Sequence, residues 1–312
     1  MRRVAALLAA ALLGTALTAC GDGGAEPGAP KGATLVLDFQ PNAVHSGIYA
    51  AKANGYFKEE GIDLSIQEPS SSADSAKLLE AGRADFAVMD INDFGIARQR
   101  GLDLVAIAAI VQRPLASVIA GDPGEIRTPA DLAGKTIGVT GVPSDEAVLD
   151  TVLRSGGVDP SSVHRVTIGF NAVADLAAGK VDAATAFWNA EGVQLEEQGI
   201  PIREFRVDQF GAPRYPELLL VAKAGNEGLG RHVSEALRRG YDELGARPGT
   251  ALEDLLHEVP GLDAADQARQ LQSLITSDAF ARGSSRATPN LDPASVRSWQ
   301  KWAASGGLVD AG

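Results

Sequence analysis

Four short stretches hold the side chains whose types and spacing could do chemistry. The first, Asp38-Phe39-Gln40-Pro41-Asn42-Ala43-Val44-His45-Ser46-Gly47-Ile48-Tyr49, places an aromatic ring, amide and carboxylate groups and a histidine ahead of a helix. Asn42 suits the N-cap of that helix, and helical spacing from it puts His45, Ser46 and Tyr49 on one face near the N-terminus. Tyr49 fits the core equally well. The second stretch, Ala186-Phe187-Trp188-Asn189-Ala190-Glu191-Gly192, directly follows a strand. Trp188 there offers a stacking face with Asn189 and Glu191 as polar partners; a buried core indole is the competing reading. The third, Ile110-Val111-Gln112-Arg113-Pro114-Leu115, carries Gln112 and Arg113 where the chain would leave the first of two units. The fourth, Thr140-Gly141-Val142-Pro143-Ser144-Asp145-Glu146, is a strand-to-helix turn. Its small residues let backbone N–H groups approach a ligand, as helix N-termini do. Ordinary turn chemistry explains it as well. No Gly-x-Ser-x-Gly elbow is present, and the four histidines are scattered without metal-ligand spacing, so hydrolase chemistry is not expected.

The elements that must position these groups alternate. Strand patterns at Leu35–Leu37, Asp63–Gln67, Phe86–Val88, Leu104–Val111, Thr136–Thr140, Val163–Ile168 and Ala183–Phe187 interleave with helical spacing at 44–54, 73–81, 91–100, 146–155, 172–178 and 192–198. Such alternation predicts mostly parallel sheets covered by helices. After a strand at Leu218–Val221 the chain turns helical, with long candidates near 229–245, 263–276 and 293–304. One echo divides the chain. Leu79-Glu80-Ala81-Gly82-Arg83-Ala84-Asp85-Phe86-Ala87 matches Leu176-Ala177-Ala178-Gly179-Lys180-Val181-Asp182-Ala183-Ala184 in helix, capping glycine, basic residue and strand-opening Asp. The echo implies two similar lobes. Met89-Asp90 and Phe187-Trp188 would then sit at matching strand ends, where open α/β sheets bind ligands.

The 312 residues leave room for two domains, and 45% hydrophobic with 22% charged residues is a globular balance. A net charge of −12 argues against a nucleic-acid partner. The only cysteine is Cys20, which excludes an intrachain disulfide framework and any multi-cysteine metal site. Arg2-Arg3, an apolar run from Val4 to Leu17 and Leu17-Thr18-Ala19-Cys20 read as a secretory signal over residues 1–19 that ends in a lipobox-like cleavage region. Cys20 would carry the lipid. Residues 20–32, rich in Gly, Ala and Pro, would tether the body over roughly 18 Å.

These stretches resemble an ABC-transporter solute-binding lipoprotein of the superfamily that includes sulfonate and nitrate binders and the thiamine-pyrimidine synthase group. The resemblance covers roughly residues 33–305, through the stretch Leu37–Tyr49, Gly55-Tyr56-Phe57-Lys58-Glu59-Glu60-Gly61-Ile62-Asp63, Ala81–Asp85, Ile110–Leu115 and Trp188–Glu191. Pro41-Asn42…His45 and Trp188-Asn189…Glu191 look most like the branch that binds pyrimidine precursors of thiamine. That branch often has Trp where this chain has Phe39. The resemblance implies a bilobal α/β fold of periplasmic-binding-protein type II, two doubly wound lobes joined by a two-strand hinge. Lobe one would hold residues 33–114 and 217–312 and lobe two residues 115–216, with crossings near Leu115–Ile119 and Glu217–Val221. It also implies capture of a hydroxymethyl- or formylamino-pyrimidine between the lobes, and delivery to an ABC permease and its ATPase. The protein would act as a monomer, lipid-anchored on the outer face of the cytoplasmic membrane, with no cofactor.

The expected ligand-binding residues are Asp38, Phe39, Asn42, His45, Tyr49, Asp90, Gln112, Trp188, Asn189 and Glu191. Local chemistry agrees with a neutral or amino-bearing ligand: the candidate wall offers Asp38, Asp90, Asp93, Asp145, Glu146 and Glu191, with Arg113 the nearby cation. A riboflavin-like heteroaromatic, or nitrate or sulfonate, are the alternatives. Synthase relatives use pyridoxal phosphate and a sacrificed histidine, and His45 stands in a similar motif. They also carry a cysteine-rich motif, whereas Cys20 lies in the export signal, so an enzyme is not expected.

Overall fold

Every strand that ends near a candidate residue belongs to one of two five-stranded sheets. The computed structural model describes residues 30–71, 74–121, 124–280 and 291–310. The first run comprises β1 (Lys31–Val36), α1 (Ser46–Ala53), α2 (Tyr56–Glu59), β2 (Ile62–Gln67), α3 (Asp74–Glu80), β3 (Phe86–Asp90), α4 (Ile91–Gln99) and β4 (Leu104–Ala109). The second comprises β5 (Ala116–Ala120), β6 (Thr136–Val139), α5 (Pro143–Ser155), β7 (His164–Thr167), α6 (Ala172–Ala177), β8 (Ala183–Phe187), α7 (Val193–Glu197) and β9 (Arg203–Arg206). Then β10 (Leu218–Lys223) rejoins the first sheet, and α8 (Glu227–Ala246), α9 (Pro248–Glu258), α10 (Ala264–Thr276) and α11 (Pro293–Ser305) follow.

The sheet orders are β2-β1-β3-β10-β4 and β7-β6-β8-β5-β9. They are the same arrangement built twice. In each, the strand delivered by a crossover, β10 or β5, runs antiparallel to both neighbours, while the other strands run parallel. The echo has a physical basis. Asp85 Oδ2 accepts from Thr34 N–H at 2.8 Å and Asp182 Oδ2 from Thr136 N–H at 2.7 Å, tying β3 to β1 in lobe one and β8 to β6 in lobe two. Gly82 and Gly179 end the preceding helices at φ of 65° and 63°, a conformation that glycine adopts without steric cost. The register pairs Leu218 with Asp90 and Ala116 with Phe187, so the equivalent of Asp90 is Phe187 and not Trp188.

Both faces of each sheet are covered, which is why the strands read as apolar runs rather than alternating ones. In lobe one, Leu35, Phe86, Val88 and Leu220 pack on one face, and Val36, Ala87, Met89 and Leu219 on the other. Lobe two divides likewise, with Val118 and Ile137 against Ile119 and Ala184. Helix α8 presses on α1 so closely that a Cβ on Gly47 would lie 2.6 Å from the Tyr241 ring.

Three expectations shift. The tether expected over residues 20–32 overlaps the first sheet, where Lys31 and Gly32 already pair with Ile62 and Asp63. Strands β5 and β9 and helix α9 form where the sequence pattern predicts no element. Residues 188–192 form a turn of π-helix ahead of α7. The signal segment and Cys20 lie outside the described residues.

Candidate functional site

A cavity of about 360 Å³ lies between the lobes, at the strand ends. Lobe one contributes the loop after β1 (Asp38, Phe39), the end of β3 (Met89, Asp90), and faces of α3 and α4, including Asp93. Lobe two contributes β5, Thr140, the start of α5 (Ser144, Asp145), Phe170 after β7, the end of β8 (Thr185, Ala186, Phe187) and Glu191. Three phenylalanines close one side. Phe39 meets Phe170 edge-on at 4.6 Å between centroids and Phe187 at 6.2 Å, so rings from both lobes touch across the cleft.

The ionisable lining is mostly carboxyl, set among the hydroxyls of Ser75, Ser117, Thr140, Ser144 and Thr185. Asp38, Glu80, Asp90, Asp93, Asp145 and Glu191 face the cavity against Lys77 and Arg100, and Glu80, Lys77 and Arg100 sit at the exposed rim. Burial pushes the Glu191 carboxyl up to about 7, against the bond from Phe187 N–H at 3.0 Å that favours its ionised form. Asp93 is pushed up to about 8, by burial first and then by the neighbouring Asp90. Asp145 is raised by burial although Thr140 donates to it from N–H at 2.5 Å and from Oγ1 at 2.6 Å. Asp90 caps α4 through Asn92 N–H at 2.5 Å and is raised by its burial. Neutral carboxyl groups donate as well as accept.

Asp38 is set by the turn that follows it. Asn42 Oδ1 accepts from Val44 N–H at 3.0 Å, and Asn42 N–H donates to His45 Nδ1 at 3.2 Å. An accepting Nδ1 leaves the ring proton on Nε2, which bonds Asp38 Oδ1 at 2.9 Å. Both ring nitrogens of the fully buried His45 are therefore engaged, and Asn42 and His45 act on the cavity through Asp38.

Several sequence expectations need correction. Trp188 is 1% exposed and does not line the cavity. Its Nε1–H donates to Pro114 O at 3.0 Å and its face carries the Arg206 guanidinium at 4.1 Å, because the π-turn folds it back beneath the crossovers. The ring that reaches the cavity is Phe187. Asn189, also 1% exposed, follows Trp188 into that turn. Tyr49 packs in the core of lobe one, its hydroxyl pushed up to about 12 by burial and by Glu68 and Glu258. Gln112 turns back to Ala109 O at 3.1 Å, away from the cavity. Arg113 is held by Asp208 at 2.8 Å, joining the two crossovers, and Glu146 pairs with Arg165 at 2.6 Å. Of the ten expected residues, Asp38, Phe39, Asp90 and Glu191 line the cavity. Phe170 is not among the residues expected from sequence, and Phe187 is expected only as the strand-end neighbour of Trp188. The strand-end rule points to Phe170 after β7, and the register of the echo points to Phe187.

Two matching α/β lobes with a cavity at their facing strand ends define a bilobal protein of the periplasmic-binding-protein type. Solved structures share that fold. The alkanesulfonate-binding protein SsuA of Xanthomonas axonopodis pv. citri superposes with a TM-score of 0.72 at 18% identity, covering 91% of this chain and 96% of that one. The nitrate-binding protein NrtA of Synechocystis does so at 0.63 and 14% identity, covering 76% and 69%. The chain belongs to the NMT1/THI5 like family, whose profile matches residues 42–251. The formylaminopyrimidine-binding protein of Halalkalibacterium halodurans is 34% identical over 230 residues, 71% of this chain and 69% of that protein. A 4-amino-5-hydroxymethyl-2-methylpyrimidine phosphate synthase of Saccharomyces cerevisiae is 29% identical over 185 residues, 57% and 54% of the two chains.

Proposed function

We propose that this protein captures a small aminopyrimidine, of the formylamino- or hydroxymethyl-pyrimidine type, and delivers it to an ABC permease and its ATPase. The observation that carries this reading is the lining of the interlobe cavity: three phenylalanine rings and six carboxyl groups, with the two cations at the rim. A heteroaromatic ring has faces for the phenylalanines. Its amino group donates to a carboxylate, and its ring nitrogens accept from a neutral carboxyl or a hydroxyl. Stacking contributes about 1–3 kcal/mol per ring and a hydrogen bond to a charged group roughly 1.5–3 kcal/mol. Two such contacts of each kind total about 5–12 kcal/mol, a range that brackets the roughly 8 kcal/mol of micromolar binding. The relative that binds formylaminopyrimidine supports the same ligand class.

Nitrate or a sulfonate, the cargo in the names of the structural neighbours, would face carboxyl groups where it needs donors and positive charge. The synthase reading rests on His45. That residue is fully buried, bonded at both nitrogens and off the cavity wall, which speaks for its role in positioning Asp38. The N-terminal address supports an extracytoplasmic, lipid-anchored protein. Among the described residues no helix is long and apolar enough to cross a membrane. Mass spectrometry of protein purified natively, without refolding, tests the ligand class. A retained aminopyrimidine is the expected finding, and a retained inorganic or sulfonate anion contradicts it.

A further inference from the structure

Glu217 is fully buried behind the cavity, just before β10. Three connections meet on it. Its backbone carbonyl accepts from Ile91 N–H at 2.9 Å, at the first residue of α4. Its Oε2 accepts from Leu115 N–H at 3.0 Å, at the end of the first crossover. Its own backbone ends the second crossover, and the next residue, Leu218, pairs with Asp90 while its carbonyl accepts from Ile110 N–H at 2.7 Å. Among the described residues its Oε1 has no hydrogen-bond donor, and Glu217 lies beside Asp90, the strand partner of the next residue, closely enough for each carboxyl to bear on the charge of the other. Two buried carboxyls that close resist being ionised together.

We propose that Glu217 is a positioning residue that couples the ligand cavity to both crossovers, donating as a neutral acid from Oε1 to Asp90 while Oε2 holds Leu115 N–H. The proposal rests on reading the cavity as the interlobe ligand site. Asp90 already accepts from Asn92 N–H on Oδ1. A second donor behind it keeps Asp90 ionised and fixed, ready for a ligand amine. The same proton ties the cavity wall to the two strands of chain about which the lobes must move. Several titratable groups face this pair. Asp38, in turn bonded to His45, lies near both carboxyls, Asp93 lies beside Asp90, and the Tyr215 hydroxyl lies near Glu217, Asp90 and Asp208. Asp208 is the member already matched by a cation, Arg113. Burial and Asp90 hold the Glu217 carboxyl well above the usual carboxylate range.

The test compares wild type, Glu217→Gln and Glu217→Leu. Glutamine replaces the O–H donor by N–H and keeps the oxygen for Leu115; leucine keeps volume and loses both bonds. Without ligand, a carboxyl that is neutral when folded and ionised when unfolded makes stability fall as pH rises above about 4. The melting temperature of wild type should therefore fall more steeply between pH 5 and 9 than that of Glu217→Gln. Titration with a formylaminopyrimidine should give Glu217→Gln an affinity within threefold of wild type and Glu217→Leu one at least tenfold weaker. Equal pH slopes for wild type and Glu217→Gln, or a Glu217→Gln protein that binds as weakly as Glu217→Leu, would overturn the proposal. A wild type that melts as expected but does not bind the pyrimidine would overturn the ligand assignment and leave the role of Glu217 supported.

Discussion

Phe39 of lobe one meets Phe170 of lobe two edge-on, with centroids 4.6 Å apart, and both rings line the cavity. Each comes from a loop after a strand, so their contact requires the lobes to be closed. Removing either ring deletes a stacking surface and one side of the closure. Phe39→Ala and Phe170→Ala should each weaken aminopyrimidine binding tenfold or more, in line with about 1–3 kcal/mol per stacked ring. Both rings are half-buried and lie outside the lobe cores, so the melting temperature should change little. Calorimetry and thermal melts on the same preparations separate the two effects.

Asp93 and Glu191 make stability depend on pH. Both are raised, to about 8 and about 7, from unfolded values near 4. The folded protein then binds more protons than the unfolded chain between about pH 4 and 8, so stability falls as pH rises across that window. Asp93→Asn and Glu191→Gln should flatten the profile, read as melting temperature against pH. A ligand amine bonded to either carboxylate should narrow the same slope.

Trp188 lies in the hinge region, off the cavity wall. Trp188→Phe removes the donor to Pro114 O, leaves a buried carbonyl unpaired and deletes part of the face under Arg206. A loss of about 1–3 kcal/mol in unfolding free energy is expected, with ligand affinity within threefold of wild type. Denaturant unfolding and a binding titration check the pair of outcomes.

Asp85 and Asp182 perform the same task in separate lobes, so their substitutions should add. Asp85→Ala and Asp182→Ala each strip a backbone N–H of its acceptor, at Thr34 and Thr136, and should cost about 1–3 kcal/mol. The double variant should lose the sum to within about 0.5 kcal/mol if the lobes unfold together. Denaturant titrations of the three proteins measure it.

This pair of aspartates also shows what could be read before folding. The echo around Gly82 and Gly179 was legible because a left-handed cap and a strand-opening acid need particular residue types at fixed offsets. Two lobes, and a site at their strand ends, followed from it. Asp38 and Glu191 were legible as strand-end polar groups. Trp188 was misread because β8 gives way to a π-turn, and nothing in its spacing announces that the indole folds back beneath Pro114. Strands β5 and β9 were missed because they are short and lie beside the crossovers, where tertiary pairing decides the backbone. Glu217 reads as a surface acid in any local window; it is buried because β10 returns beside Asp90 and Leu115 after passing through the whole of lobe two.

The central claim is that this carboxyl-lined, phenylalanine-walled cavity takes an aminopyrimidine. Isothermal titration of the purified, ligand-stripped protein with a formylaminopyrimidine, and in parallel with nitrate and an alkanesulfonate, tests it most directly. Saturable heat at micromolar affinity or better with the pyrimidine, lost in Asp90→Ala and absent with both anions, is the expected result. Tight binding of nitrate or the sulfonate with no heat from the pyrimidine would contradict it.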